Sequence, residues 1–461
     1  MHHYHTNTRP IKRSRNIDML SGAIGPRLIW FALPLAFTGI LQQLFNAADV
    51  AVVGRFVGKE AMAAVGSNTS IISLLLNLFV GISLGANVVI SKFIGQQERQ
   101  GVRKAVHTSI LVAVISGLFL TAFGELLTRP ILRWMGVPAE IKGMSETYLR
   151  IYLLGMPVIL LYNFESAIFR SKGDTRTPLL CLIVSGIANV LLNLFLVIAV
   201  HLDVAGVAIA TVTSNLIGAG MMLVSLLRDD GDVSVRWGEL RIDGKVLKEM
   251  LRIGVPSGVQ SMMFSLSNIL IQSAINSLGA EVMAASSAGF NIEVMAFYVT
   301  SAFGSACTTF LGQNFGAGQW DRCRRVTILS MAQNVLGSAL ISLGILAFSR
   351  PLLGIFNQDP TVIGYGVTRL RYILLAQPLN AVIEIVSGSM RGYGRSLEPA
   401  LVSLFGICGV RILWIYTGFR KIGTYAALLT AYPMSWVVTA LALVVLYIVF
   451  IKRFRKQLEG G

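Results

Sequence analysis

Four carboxylates stand inside long apolar runs of this 461-residue chain, away from the ends of those runs: Asp49, Glu165, Glu293 and Glu384. An apolar surrounding disfavours the charged form of a carboxylic acid, so such a group suits reversible protonation near neutral pH, or the attraction of a cation. Neutral polar residues accompany them at helical spacing. Gln42, Asn46 and Asp49 follow at i, i+4 and i+7, on one helix face. Ser185, Asn189 and Asn193 share a second face, and Thr211 with Asn215 a third. Further along, Ser261, Ser265, Asn268 and Gln272 form one stripe and Gln377, Asn380 and Glu384 another. Polar faces on apolar helices must point at protein or at a water-filled cavity. For a lone Ser, Thr or Asn, hydrogen bonding between helices is the ordinary use. A carboxylate asks for more, and coupling to an ion is the chemistry it offers.

Other chemistries leave no trace. There is no Gly-x-x-x-x-Gly-Lys-Ser/Thr loop and no His-Glu-x-x-His pair. The four cysteines, Cys181, Cys307, Cys323 and Cys408, form no Cys-x-x-Cys unit, so neither a disulfide nor a metal site is expected. His2, His3 and His5 open the chain in a polar, basic stretch that reads as a disordered tail. With no catalytic dyad, no cofactor motif and no nucleotide site, an ion gradient is the energy source that remains.

The elements that position these groups follow from composition. Hydrophobic residues make up 54% of the chain and charged ones 13%, about half the share in a soluble domain. Runs of about 20 apolar residues read as membrane-spanning helices, placed at 26–54, 61–91, 105–127, 145–169, 178–200 and 205–227, then 249–277, 282–311, 326–348, 362–389, 399–419 and 425–451. The net charge of +16 is spread over short loops rather than gathered in one stripe, which argues against a nucleic-acid partner. With the N-terminus inside, 27 of the 39 Lys and Arg fall on the cytoplasmic side and 8 outside; Arg150, Arg369, Arg371 and Arg411 fall within spans. That asymmetry places both termini in the cytoplasm.

The chain also repeats itself. Arg129-Pro130, Arg150, Pro157, Arg170, Gly173 and Pro178 recur as Arg350-Pro351, Arg371, Pro378, Arg391, Gly394 and Pro399, each 221 residues on; Pro34 and Asn46 recur as Pro256 and Asn268, 222 on. Six spans per copy is an even number, so both copies keep one orientation, related by an axis along the membrane normal. The expected fold is an all-α membrane protein: twelve transmembrane helices in two six-helix lobes forming a pseudo-twofold parallel repeat. Its parts are a basic tail (1–20), an N-lobe (21–227), a cytoplasmic linker (228–248), a C-lobe (249–451) and a second basic tail (452–461). Arg170 and Arg391 end equivalent helices, where they cap the C-termini.

The stretches 49–58 (DVAVVGRFVG), 61–66 and 204–211, with the paired motif Arg170-x-x-Gly173-x-x-x-x-Pro178 and Arg391-x-x-Gly394-x-x-x-x-Pro399, resemble the multidrug and toxic compound extrusion (MATE) transporters. The resemblance spans roughly residues 20–452. It implies two lobes around a central cleft that opens alternately to either side, and efflux of organic cations or amphipathic drugs in exchange for protons or sodium ions. It further implies drug-like small molecules and the lipid bilayer as partners, a bacterial plasma membrane as location, and no cofactor; a monomer is expected. A related helical bundle serves flippases of lipid-linked sugars, which is the alternative function.

Proton-coupled members of that family use a helix-one Asp, an Asn and an Asp four apart in helix five, and a Thr in helix six. The resemblance assigns these to Asp49, Asn189 and Thr211, and departs at Asn193, which replaces the second Asp and cannot titrate. Glu165 could supply another titrating group only as a separate station, since at about 1.5 Å per residue it lies on the order of 20 Å from Asp49 in depth. Sodium-coupled members use carboxylates in helices seven and ten. Helix seven here is uncharged in its core, and Asn380 stands one turn before Glu384, so protons are the expected coupling ion. Gln42, Asn46, Asn268, Glu293, Gln377, Asn380 and Glu384 are the expected cleft residues for substrate or cation.

Overall fold

Backbone N–H and C=O groups have no water to bond in lipid, so long apolar runs satisfy themselves as helices. A computed structural model describes residues 16–459, and every regular element among them is helical. The helices are α1 (Ile24–Phe56), α2 (Lys59–Gly95), α3 (Arg99–Trp134), α4 (Ala139–Leu154 and Met156–Ser171), α5 (Arg176–Ala199) and α6 (Asp203–Leu227). The second lobe holds α7 (Gly244–Asn276), α8 (Ala280–Gly316), α9 (Trp320–Ala347), α10 (Pro360–Gly392), α11 (Leu397–Ile422) and α12 (Tyr425–Leu429 running on as Ala431–Glu459). Ten are long and apolar enough to cross a bilayer alone, and the two pieces of α4 make an eleventh. The twelfth, α7, is 33 residues long. Its first turns carry Lys245, Lys248, Glu249 and Arg252, and its interior a Ser, Gln and Asn stripe, which keeps it out of the set that is apolar enough alone.

Three local differences from the sequence reading have plain causes. The span expected at 145–169 is bent by 50° at Gly155. Gly155 and Pro157 both favour a break; the matching stretch of α10 has Ala376 and Pro378 and stays one helix. The tail expected from 452 is instead the continuation of α12 to Glu459. At the other end, His2, His3 and His5 lie outside the described residues, but residues 17–22 are docked rather than loose. Ile17 N–H donates to Gly173 O at 3.0 Å, and Met19 O accepts from Asn314 Nδ2 at 3.1 Å. Arg322 binds the carbonyls of Met19, Ser21 and Gly22. One short segment thereby touches both lobes.

The paired motif acts as a helix stop. Gly173 and Gly394 have φ of +91° and +78°, which L-residues with a Cβ resist. Asp174 N–H returns to Phe169 O and Arg395 N–H to Met390 O, closing the last helical turn in the same way in both lobes. Arg170 and Arg391 each stand in that last turn.

The lobes meet through α2 against α7 and α8, and α1 against α8. The close half of this seam is the half nearest the linker. A Cβ on Gly81 would lie 2.2 Å from Gly258 N, and one on Gly85 2.3 Å from Met250 O. Gly95 and Gly316 bring α2 and α8 equally close. Small residues four apart let helix backbones touch. Across the same half, Lys92 Nζ pairs with Glu249 at 2.7 Å, Thr309 Oγ1 donates to Asn87 Oδ1 at 3.1 Å, and Gln313 Nε2 donates to Ser171 O at 2.6 Å. On the far half, Tyr298 OH reaches Gln43 Oε1 at 3.3 Å. The lobes therefore touch backbone to backbone on the half nearest the linker and through side chains beyond it. The linker itself is packed: Arg236 N–H donates to His107 Nε2 at 3.0 Å, and Lys104 pairs with Asp243 at 3.3 Å.

Candidate functional site

In the N-lobe, α1, α5 and α6 converge on Asp49. The approach of α1 to α5 depends on Gly186, where a Cβ would lie 1.9 Å from the Phe45 ring. That contact, one turn before Asp49, carries the carboxylate onto the polar face of α5. Asp49 is buried, as are Asn189 and Asn193. Asn193 Nδ2 donates to Asp49 Oδ1 at 2.5 Å and to Asn189 Oδ1 at 3.2 Å. Thr211 Oγ1 lies 3.2 Å from Asp49 Oδ2 and 2.9 Å from Val207 O; its single proton serves one of them at a time. Immediately after Leu194 the helix widens into a π turn, Phe195–Ala199, a local irregularity common beside functional groups. No Lys, Arg or His pairs with Asp49 among the described residues; its partners are neutral.

Glu165 is not part of this centre. It is fully buried in the second piece of α4, and neither of its carboxyl oxygens has a hydrogen-bond partner among the described residues. Tyr162 OH and Arg170 Nε, on the same helix, are buried and unpartnered as well.

The C-lobe contains a cavity of about 580 Å³, within the range of small-molecule sites. Asn268, Glu293, Gln377, Asn380 and Glu384 line it, with Thr69 and Ser73 reaching in from α2. Gln42 and Asn46, expected beside them, are exposed on α1 and do not line it. Neither glutamate is free. Arg369 grips Glu293 with two parallel hydrogen bonds, Nη2 to Oε1 at 2.6 Å and Nε to Oε2 at 3.0 Å, and Arg391 stands 3.9 Å from Glu384. Arg411, 5% exposed, donates to Asn268 Oδ1 and Ser435 Oγ, each at 3.2 Å, and lies over the Tyr432 ring at 4.4 Å. Sequence reasoning counted Arg369 and Arg411 among the in-span charges and gave them no role. An arginine inside a span was itself the signal.

A family model described as MatE matches this chain twice, over residues 34–195 and 256–417. The chain belongs to the MATE family. A probable multidrug resistance protein, YoeA, of Bacillus subtilis (strain 168) is 30% identical over 422 residues, covering 88% of this chain and 90% of that one. A probable multidrug resistance protein NorM of Thermotoga maritima is 30% identical over 397 residues, 84% of each chain. The fold is that of a crystal structure of MATE in complex with MaL6, with TM-score 0.89, 19% identity and coverage of 95% of this chain and 98% of that one. The two matched stretches begin 222 residues apart, which is the repeat seen in the sequence. MATE proteins are multi-pass transporters of the multidrug efflux class and not enzymes. Within the repeat, Asp49, Asn189 and Asn193 fall in the first match and Glu293, Arg369 and Arg411 in the second.

Proposed function

We propose that this MATE transporter sits in the bacterial plasma membrane with both termini in the cytoplasm. There it exports organic cations and other amphipathic drug-like molecules in exchange for protons, with Asp49 as the coupling group. The observation that carries this reading is the contrast among the buried carboxylates. Glu293 and Glu384 stand beside arginines and Glu165 has no hydrogen-bond partner among the described residues, whereas Asp49 alone of the four is held by neutral donors, Asn193 and Thr211. A carboxylate without a cationic partner can change its protonation without stranding an opposite charge. The donors also favour a proton over sodium: the amide of Asn193 presents N–H to the carboxylate, not the carbonyl oxygen a hard cation needs.

The residues suggest how one proton moves the lobe. With Asp49 ionised, Asn193 and Thr211 both donate to it and draw α5 and α6 onto α1. Protonation turns one carboxyl oxygen into a donor. Thr211 can then accept from Asp49 and give its own proton to Val207 O, while the charge-assisted bond from Asn193 weakens. A ligand shifts a conformational equilibrium only by its difference in affinity for the two states, and this rewiring supplies such a difference. The close backbone seam on the linker face supports reading this as the outward-open state, in which a proton would enter and a drug leave. A lipid-linked sugar flippase is the weaker reading: the charges around the cavity are mostly paired, not massed as a cradle for pyrophosphate.

The test is efflux of a labelled organic cation from vesicles on which proton and sodium gradients are imposed separately. Transport driven by the proton gradient alone supports the proposal. Transport driven by sodium alone overturns it.

A further inference from the structure

Two arginines and two glutamates line the C-lobe cavity, Arg369, Arg411, Glu293 and Glu384, but Arg411 has no carboxylate in contact among the described residues. Arg369 is matched by Glu293 and Glu384 by Arg391. Arg411 has only Asn268, Ser435 and the Tyr432 ring. Neutral acceptors and an aromatic face ease the burial of a guanidinium, but they do not cancel its charge in a medium of low dielectric. Such a group costs several kcal/mol unless something pairs with it. It lines the cavity wall rather than the lipid surface.

The repeat sharpens the point. Thr211 and Tyr432 are 221 residues apart, and so are Ser214 and Ser435. Both serines donate to the carbonyl three residues back, Thr211 O and Tyr432 O, each at 2.9 Å, so the correspondence holds in space as well as in sequence. Asp49 corresponds, 222 on, to Ile271, a buried residue of the cavity wall. The neighbourhood duplicated around Thr211 and Tyr432 thus holds an anion, Asp49, in one lobe and a cation, Arg411, in the other. Phe264, Phe290, Phe297, Tyr298 and Trp436 also line it, among aliphatic residues such as Ile269, Ile275 and Ile383.

We propose that this cavity binds amphipathic aromatic molecules carrying an anionic group, a carboxylate or sulfonate, which pairs with Arg411 while the rings lie against these aromatic side chains. This adds anionic amphipaths to the substrates of the exporter reading above, on which it rests. An aromatic acid or zwitterion would be favoured over a simple organic cation in this half of the molecule.

Two xanthene dyes of similar size and opposite charge test it: fluorescein, an anion, and rhodamine 6G, a cation. Equilibrium binding to the purified full-length transporter, with no gradient present, is measured for wild type and for Asn268→Asp. That substitution places a carboxylate beside the Arg411 guanidinium and pairs it without removing any buried group. The expected result is at least tenfold tighter binding of fluorescein than of rhodamine 6G by wild type, with the preference lost or reversed in Asn268→Asp. Rhodamine 6G binding as tightly as fluorescein to wild type would overturn the proposal, and this arm stands even if the variant fails to fold. A folded Asn268→Asp protein with an unchanged ratio would overturn it too. Anion preference without any gradient-driven transport would instead count against the exporter reading alone.

Discussion

The two lobes descend from one repeated unit and put opposite chemistry at the same place. In the N-lobe neither carboxylate buried within a span has an ion pair or a charged partner among the described residues: Asp49 rests on neutral donors, and Glu165 has no hydrogen-bond partner there. In the C-lobe Glu293 is locked to Arg369, Glu384 stands 3.9 Å from Arg391, and a further arginine, Arg411, is left facing a cavity. A locked pair is poor at changing charge but good at holding shape; a lone carboxylate is the reverse. We infer a division of labour from this pairing, with the N-lobe titrating and the C-lobe holding a ligand.

That contrast can be broken by substitution. The largest effect is expected for Glu293→Gln, which strands Arg369 in the C-lobe wall. Losing one partner of a buried pair costs about 3–5 kcal/mol, so thermal unfolding in detergent should shift strongly downward, whereas Asp49→Asn should leave it nearly unchanged. Equal losses at the two sites would mean that Asp49 is a structural group like Glu293. Next comes Asn193→Ala. It removes a hydrogen bond to an ionised group, worth about 1.5–3 kcal/mol, and should lower the transport rate while binding of drug persists. An unchanged rate would remove Asn193 from the coupling path.

A smaller effect is expected at the seam. A side chain at Gly258 would collide with Leu78, and overpacking of this kind costs about 1–3 kcal/mol. Gly258→Val should therefore shift spin-label distances across the linker face towards separation, without changing dye binding in the C-lobe. The smallest effect concerns Asp243 at the start of α7. The backbone N–H of Val246, with help from Lys104 and Lys245, holds its carboxyl below the ordinary aspartate value of 3.8. A lowered value means that the stabilisation is present above the ordinary value and is lost as pH falls through the lowered one. Asp243→Asn should cost a little stability at neutral pH and nothing at strongly acidic pH, as thermal scans at the two extremes would show.

Much of the fold was legible because span length and polarity are set by the bilayer, not by partners. The repeat was legible because Arg170, Gly173 and Pro178 return with their spacing intact in Arg391, Gly394 and Pro399. The stripe of Asn189 and Asn193 could be read as facing inward, since a polar helix face has nowhere else to go. What stayed hidden depends on contacts between distant segments. The grip of Arg369 on Glu293 joins α10 to α8, and the setting of Arg411 joins α11 to α7 and α12; no local spacing announces either. The docking of residues 17–22 was hidden for the same reason. The bend at Gly155 was visible in principle, in the Gly-x-Pro that α10 lacks.

The central claim is that the charge on Asp49 drives the cycle. Its most direct test is transport by Asp49→Asn in proteoliposomes under an imposed proton gradient, beside equilibrium drug binding on the same preparation. The account predicts that gradient-driven transport is abolished while the drug still binds with near wild-type affinity. Transport at the wild-type rate would contradict it, and would move the search for the coupling group to Glu165 and the C-lobe carboxylates.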